Sequence, residues 1–164
     1  MADWVQAGEP APDFTLPAVD GSQVTLSELR GAPVVLYFYP RDDTPGCTAE
    51  ACAFRDRRAE IAALGSHVLG ISTDNLQSHE KFRDKFGLNF PLLADVDHAV
   101  AERYGAWREK VRFGKTSLGI QRSTFLIDAE GTVRKVWKNV EVSGHDQQVI
   151  DAVKELEGPG RGTA

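Results

Sequence analysis

Val34-Val-Leu-Tyr-Phe-Tyr39, continued by Pro40-Arg-Asp-Asp-Thr-Pro-Gly46 and Cys47-Thr-Ala-Glu-Ala-Cys52, is the stretch on which the fold turns. Residues 34–39 are β-branched and aromatic with no polar break, the pattern of a strand buried on both faces. Pro40 ends the strand, and a polar loop leads into a helix predicted from about Cys47 to Leu64. A doubly buried strand followed by a helix is one step of an open α/β sheet, and such sheets place their sites at the carboxyl ends of strands.

Strand-like and helix-like segments alternate outward from there. Phe14–Pro17 and Gln23–Leu26 flank Asp20-Gly21 as an N-terminal β-hairpin, and Ser27–Arg30 reads as one helical turn. Downstream come a strand at Val68–Ser72, a helix from Asn75 to about Phe86, a short strand at Phe90–Leu93 and a short helix at Asp97–Tyr104. Ser123–Ile127 and Thr132–Trp137 bracket Asp128-Ala-Glu-Gly131 as a second hairpin. A last helix spans Gly144–Leu156, with Val149, Ile150, Val153 and Leu156 as its apolar stripe. The predicted class is α/β, a mixed central sheet flanked by helices on both faces. A single domain over residues 1–157 and a flexible tail over 158–164, rich in Gly and Pro, complete the expectation.

Composition narrows the function classes. The chain has 164 residues, 41% of them hydrophobic, and its mean hydropathy is −0.31. Nineteen Lys and Arg against 24 Asp and Glu give a net charge of −5, which argues against a nucleic-acid footprint. No apolar run approaches the ~20 residues of a membrane span, and the first ten residues lack the basic and apolar regions of a signal peptide. Two cysteines are too few for a disulfide scaffold or a Cys₄ zinc site. His67, His79, His98 and His145 are scattered singly, so no metal is expected. Gly114-Lys-Thr116 and Asp95-Val-Asp97 resemble fragments of a phosphate loop and a calcium loop, but the remaining ligand positions are missing. The expectation is a cytoplasmic protein with no membrane or nucleic-acid partner.

The chemistry concentrates at the two cysteines. A thiol in the first turn of a helix feels unpaired backbone N–H groups and the positive end of the dipole, and both favour thiolate. At ~100° per residue Cys47 shares a face with Phe54, while Cys52 lies about 140° around. Five residues of intact helix separate the Cα atoms by about 8–9 Å, beyond the ~7 Å that a disulfide spans. A Cys47–Cys52 disulfide therefore requires the first turn and a half to unwind. The competing reading, two unrelated core cysteines, is weakened by the loop chemistry at the helix start.

These residues resemble the active-site segment of the peroxiredoxins: Tyr37-Phe-Tyr-Pro-Arg-Asp-Asp-Thr-Pro-Gly-Cys47 through Cys52, then Phe54-Arg-Asp56. The second cysteine five residues on is similar to the atypical two-cysteine branch called bacterioferritin comigratory protein or peroxiredoxin Q. Ala11–Leu16, Gly70–Asp74, Phe90–Asp95, Tyr104–Trp107 and Arg122–Asp128 extend the resemblance, in family order, over nearly the whole chain. Lys110–Leu118, which precedes Arg122 as the loop bordering the site, is less typical, and that bears on substrate preference rather than on the reaction.

The resemblance implies a thioredoxin-like fold and a thioredoxin-dependent peroxidase. It implies Cys47 as the peroxidatic cysteine, attacking a hydroperoxide to become a sulfenic acid, and Cys52 as the resolving cysteine. Thioredoxin or a similar dithiol then reduces the disulfide, with no cofactor. Thr44 is implied to orient the peroxide, Arg122 to favour thiolate and transition state, and Pro40 to shield the sulfur from water. Each has a plainer reading: Thr44 as a helix cap, Arg122 as a surface residue, Pro40 as a strand end. Glu50 either supports Arg122 or merely favours the helix start, and Trp107 reads as packing. A monomer is implied, there being no further cysteine to bridge subunits. The rival functions are a peroxide sensor or redox-switched holdase using the same oxidation, and a dithiol oxidoreductase, which the lack of C-x-x-C disfavours.

Overall fold

The computed structural model describes residues 3–156. The sequence reading of a tail over 158–164 lies outside them. The core is a five-stranded mixed sheet in the order β5-β4-β3-β8-β9. β3 (Val34–Phe38) pairs parallel with β4 (His67–Ser72), and β4 with β5 (Leu92–Ala94). β8 (Ser123–Ile127) runs antiparallel to β3 and pairs with β9 (Val133–Trp137) across a register shift at Leu126/Ile127. Every residue of β3 and β8 is buried, as an uninterrupted apolar run at a sheet centre requires.

Alternation along these strands divides the core into two layers. Val35, Tyr37, Val68, Leu92 and Leu126 face one side with Cys47 and Phe54 of α1 (Pro45–Asp56), Ile61 of α2 (Arg58–Ala63), Phe82 of α3 (Leu76–Phe86) and Val149 of α5 (His145–Leu156). Leu36, Phe38, Leu69, Ile71 and Phe125 face the other, against Val100 and Tyr104 of α4 (Ala99–Tyr104). The hairpin of β1 (Thr15–Pro17) and β2 (Gln23–Thr25) covers that second layer, followed by a 3₁₀ turn at Leu26–Leu29. Helices on both faces of a mixed sheet are what the segment pattern predicts. No helix among the described residues is long and apolar enough to cross a membrane.

Two departures bear on the site. The helix predicted over 47–64 is two helices, α1 and α2, broken at Arg57. The Arg57 guanidinium reaches Asp146 and Gln147 of α5 as well as Glu60, so a contact 89 residues distant sets the direction of the chain there. The stretch Lys110–Leu118, to which the sequence assigns no element, belongs to a two-stranded arm of β6 (Trp107–Arg112) and β7 (Lys115–Ile120). Phe113 and Gly114 form its turn, both at positive φ (53° and 75°), the geometry of a two-residue hairpin loop.

Candidate active site

β3 ends at Phe38, two residues before Pro40, and loop 40–44 delivers the chain to α1, whose N-cap is Thr44 and whose first helical residue is Pro45. Proline suits that position because its missing N–H would have no helical partner and its φ is already helical. The helix thus starts two residues before Cys47, and the first helical bond runs from Thr48 N–H to the Thr44 carbonyl. The backbone N–H groups of Gly46 and Cys47 precede that bond and point toward the loop side. The Thr44 side chain makes no capping bond; its hydroxyl instead donates to the Arg41 carbonyl at 3.0 Å. The plain capping reading of Thr44 therefore fails, and its oxygen is left free to accept.

Cys47 is 1% exposed, while Cys52 is half-buried; both are free thiols. Phe54 is buried with Cys47, as the helical spacing predicts. Arg122 enters from the segment before β8. Its Nη2 donates to Cys47 Sγ at 3.3 Å and its Nη1 to Glu50 Oε1 at 2.8 Å. Arg122 is therefore no surface arginine; its side chain is 16% exposed and spans two groups of the same helix. Burial works against its charge, but Glu50 and Cys47 outweigh burial and raise its pKa. The close approach depends on Gly46, where a Cβ would lie 2.9 Å from Arg122 Nη2.

Glu50 is almost wholly buried, and burial pushes its pKa up to about 7 against the pull of Arg122. Its second oxygen, Oε2, has no hydrogen-bond partner. Of the two readings the sequence leaves open for Glu50, the geometry favours support of Arg122. A carboxylate at the helix start would serve the dipole from the surface, not from inside the core.

The site opens to solvent through a cleft of about 700 Å³. Pro40, Thr44, Gly46 and Arg122 line it, so four positions quoted from the sequence pattern converge there. The β6–β7 arm contributes Lys110, Arg112, Ser117 and Leu118 to the same lining. The sequence reading has this stretch as a loop bordering the site; that it is a two-stranded arm is what the structure adds. The available signal is Phe113-Gly114 between two polar alternating runs, which fits a hairpin without a buried face. Trp107 stacks on His98 with ring centroids 4.0 Å apart, a packing role outside the cleft.

A scan against family models matches residues 7–136 to the AhpC/TSA family. Among curated relatives, a putative peroxiredoxin bcp of Coxiella burnetii is 49% identical, covering 89% of this chain and 97% of that protein. Peroxiredoxin Bcp of Escherichia coli is 46% identical, with 92% and 97% covered. The chain belongs to the AhpC/TSA family, as a peroxiredoxin of the Bcp or peroxiredoxin Q branch. The solved peroxiredoxin Q of Xanthomonas campestris superposes with a TM-score of 0.86 at 40% identity, covering 92% of this chain and 98% of that one. Another structure concerns alkyl peroxide reduction by the bacterioferritin comigratory protein of that organism, trapped in intermediate and ligand complexes. It is 37% identical, with a TM-score of 0.86, and covers 96% of this chain and all of that one. This peroxiredoxin thus has the thioredoxin-like fold that the sequence resemblance implies, and it is a thiol peroxidase.

Proposed function

We propose that the chain reduces hydrogen peroxide and organic hydroperoxides through a two-cysteine cycle. The Cys47 thiolate attacks the nearer peroxide oxygen, the O–O bond breaks, and the departing oxygen takes a proton to leave as water or an alcohol. Cys47 becomes a sulfenic acid. The Cys52 thiolate then attacks the Cys47 sulfur, the S–O bond breaks, and the departing hydroxide takes a proton to leave as water, giving an intramolecular disulfide. A thioredoxin-type dithiol reduces that disulfide and is itself oxidised, returning two thiols.

The observation that carries this reading is the Arg122 bridge between Cys47 Sγ and buried Glu50. A fixed guanidinium beside the sulfur favours thiolate and meets the negative charge that develops on the oxygens during attack. Thr44 presents an oxygen whose own hydrogen is committed to Arg41, so it accepts the peroxide O–H. The Cys47 N–H at the helix start is the matching donor. Pro40, on the cleft wall, limits water around the sulfur. No histidine base is required, because the thiolate is prepared electrostatically. The alkyl peroxide activity of the Xanthomonas relative supports organic substrates as well. Both cysteines stand on one helix, so the cycle needs one chain only, and we read the protein as a monomer working in the cytoplasm.

The test is a peroxide titration of the reduced protein with thiol counting and intact mass. The expected result is loss of both thiols and of two hydrogens in mass per equivalent. Cys47→Ser abolishes it, and Cys52→Ser stops at a sulfenate or an intermolecular disulfide. Added thioredoxin, its reductase and NADPH should then sustain turnover under excess peroxide. A single oxidation without turnover would favour the sensor or holdase reading, and persistence of both thiols would overturn the assignment of Cys47.

A further inference from the structure

The residues that must unwind to join Cys47 and Cys52 are bounded on both sides by buried anchors. On the far side, Phe54 lies 4.9 Å from the Tyr37 ring and 6.2 Å from His145, centroid to centroid. On the near side stands Asp42, in the loop that carries Pro40 and Thr44. Its carboxylate is buried, and both oxygens are engaged. Oδ1 accepts from the Tyr39 hydroxyl at 2.6 Å; Oδ2 accepts from Ser78 Oγ at 2.8 Å and faces His79 Nδ1 at 2.7 Å. The Asp42 backbone N–H donates to Asp74 Oδ2 at 2.8 Å, and that oxygen also accepts from Ser72 Oγ.

His79 is wholly buried on α3, and its Nε2 lies 2.9 Å from the Leu93 carbonyl. A carbonyl can only accept, so Nε2 carries hydrogen, and one further proton lies on the line from Nδ1 to Asp42. Asp42, Asp74 and His79 bring ligand-type atoms within 4.8 Å of one another. The hydrogen bonds above already engage all three residues, so the cluster reads as an internal network. It ties the active-site loop to β4, β5 and α3 at once. Next to it, Asp43 sits at φ 57°, in the left-handed region, and the fold around it must hold that conformation in place.

We propose that Asp42 and His79 are positioning residues that confine the unwinding of α1 to residues 45–53 and restore the Cys47–Arg122 contact after each turnover. The pair favours the folded form, which attacks peroxide, over the unwound form, which makes the disulfide. The inference rests on the two-cysteine reading above and adds the device that balances its two steps. Loss of the anchor therefore moves the two steps in different ways, whereas general damage to the fold slows both.

The experiment is a quenched-flow reaction of the full chain with hydrogen peroxide. Remaining thiols are alkylated, and intact mass separates the reduced, sulfenate and disulfide forms. Asp42→Ala removes the acceptor for Tyr39, Ser78 and His79. It is expected to slow the peroxide step by between about 10-fold and 100-fold, as a small misplacement of a reacting group does. Disulfide formation is expected to stay as fast as in the wild type, or to become faster. Asp42→Asn, which keeps an acceptor for Tyr39, should recover part of the loss. His79→Gln should show the same split more weakly, and these two variants carry the test if Asp42→Ala does not fold. A peroxide step within about twofold of wild type in the folded variants, or equal slowing of both steps, overturns the proposal. A wild type that keeps both thiols under peroxide refutes instead the function on which it rests.

Discussion

Cys47 and Cys52 share one helix and stand five residues apart, yet their surroundings differ. Cys47 is sealed in the core against the sheet, and Arg122 donates to its sulfur. Cys52 is half-buried, and the charge that acts on it comes from Arg55, a residue near the surface. The same side chain thus meets a built electrostatic pocket in one place and an ordinary helix flank in the other. What separates the two thiols is the partner brought from 75 residues away. Their separation along an intact helix keeps the sulfurs apart until the helix gives way.

The strongest way to break this contrast is to remove the partner. Arg122→Met keeps most of the side-chain volume and deletes the charge. The peroxide step should slow by about 10² to 10³-fold, the usual cost of losing a preorganised donor at developing negative charge. Cys47 alkylation should slow in parallel and approach that of Cys52. Rates that remain distinct in the variant would mean that the helix start alone activates Cys47.

A gentler displacement is Gly46→Ala. The added methyl meets Arg122 Nη2, so the guanidinium must shift off the sulfur while every catalytic side chain stays present. A loss of about tenfold in the peroxide step is expected, with little change in the melting temperature. Wild-type rates would show that Arg122 need not sit where the structure places it.

Glu50→Gln exchanges a charged partner of Arg122 for a neutral acceptor, and the peroxide step should fall by about fivefold. Stability has a separate signature. Folding raises the Glu50 pKa from 4.5 to about 7, so the folded chain binds the proton more tightly than the unfolded one. The resulting stabilisation is complete below pH 4.5 and is lost as pH rises through about 7, a change on the order of 3 kcal/mol. Denaturant unfolding of the variant across that window should show a flatter pH profile than wild type, and an unchanged slope would place the titration elsewhere. The smallest effect belongs to Cys52→Ser, which should leave the peroxide step within about threefold of wild type while blocking disulfide formation.

The parts of this arrangement differ in how far the sequence discloses them, and the difference is physical. β3 is legible because a strand buried on both faces needs an unbroken apolar run, and Val34–Phe38 supplies one. The burial of Cys47 with Phe54 follows from helical rotation alone. Pro40, Thr44 and Arg122 come from a family resemblance, and the structure gathers them with Gly46 around one cleft. The break at Arg57 is hidden because it depends on Asp146 in a distant helix. The β6–β7 arm escapes because eight consecutive residues, Val111 to Leu118, lie exposed, with no buried face there to impose a period. Asp42 and His79 meet across 37 residues, and neither position carries a local pattern that singles it out.

In the proposed cycle Cys47 attacks from a folded helix, and joining it to Cys52 unwinds that helix. Amide hydrogen exchange of the reduced protein and of its peroxide-generated disulfide form tests it most directly. Residues 47–52 should be protected when reduced and lose protection in the disulfide form, while β3 and β4 exchange alike in both. A disulfide form in which residues 47–52 keep their protection would contradict the account.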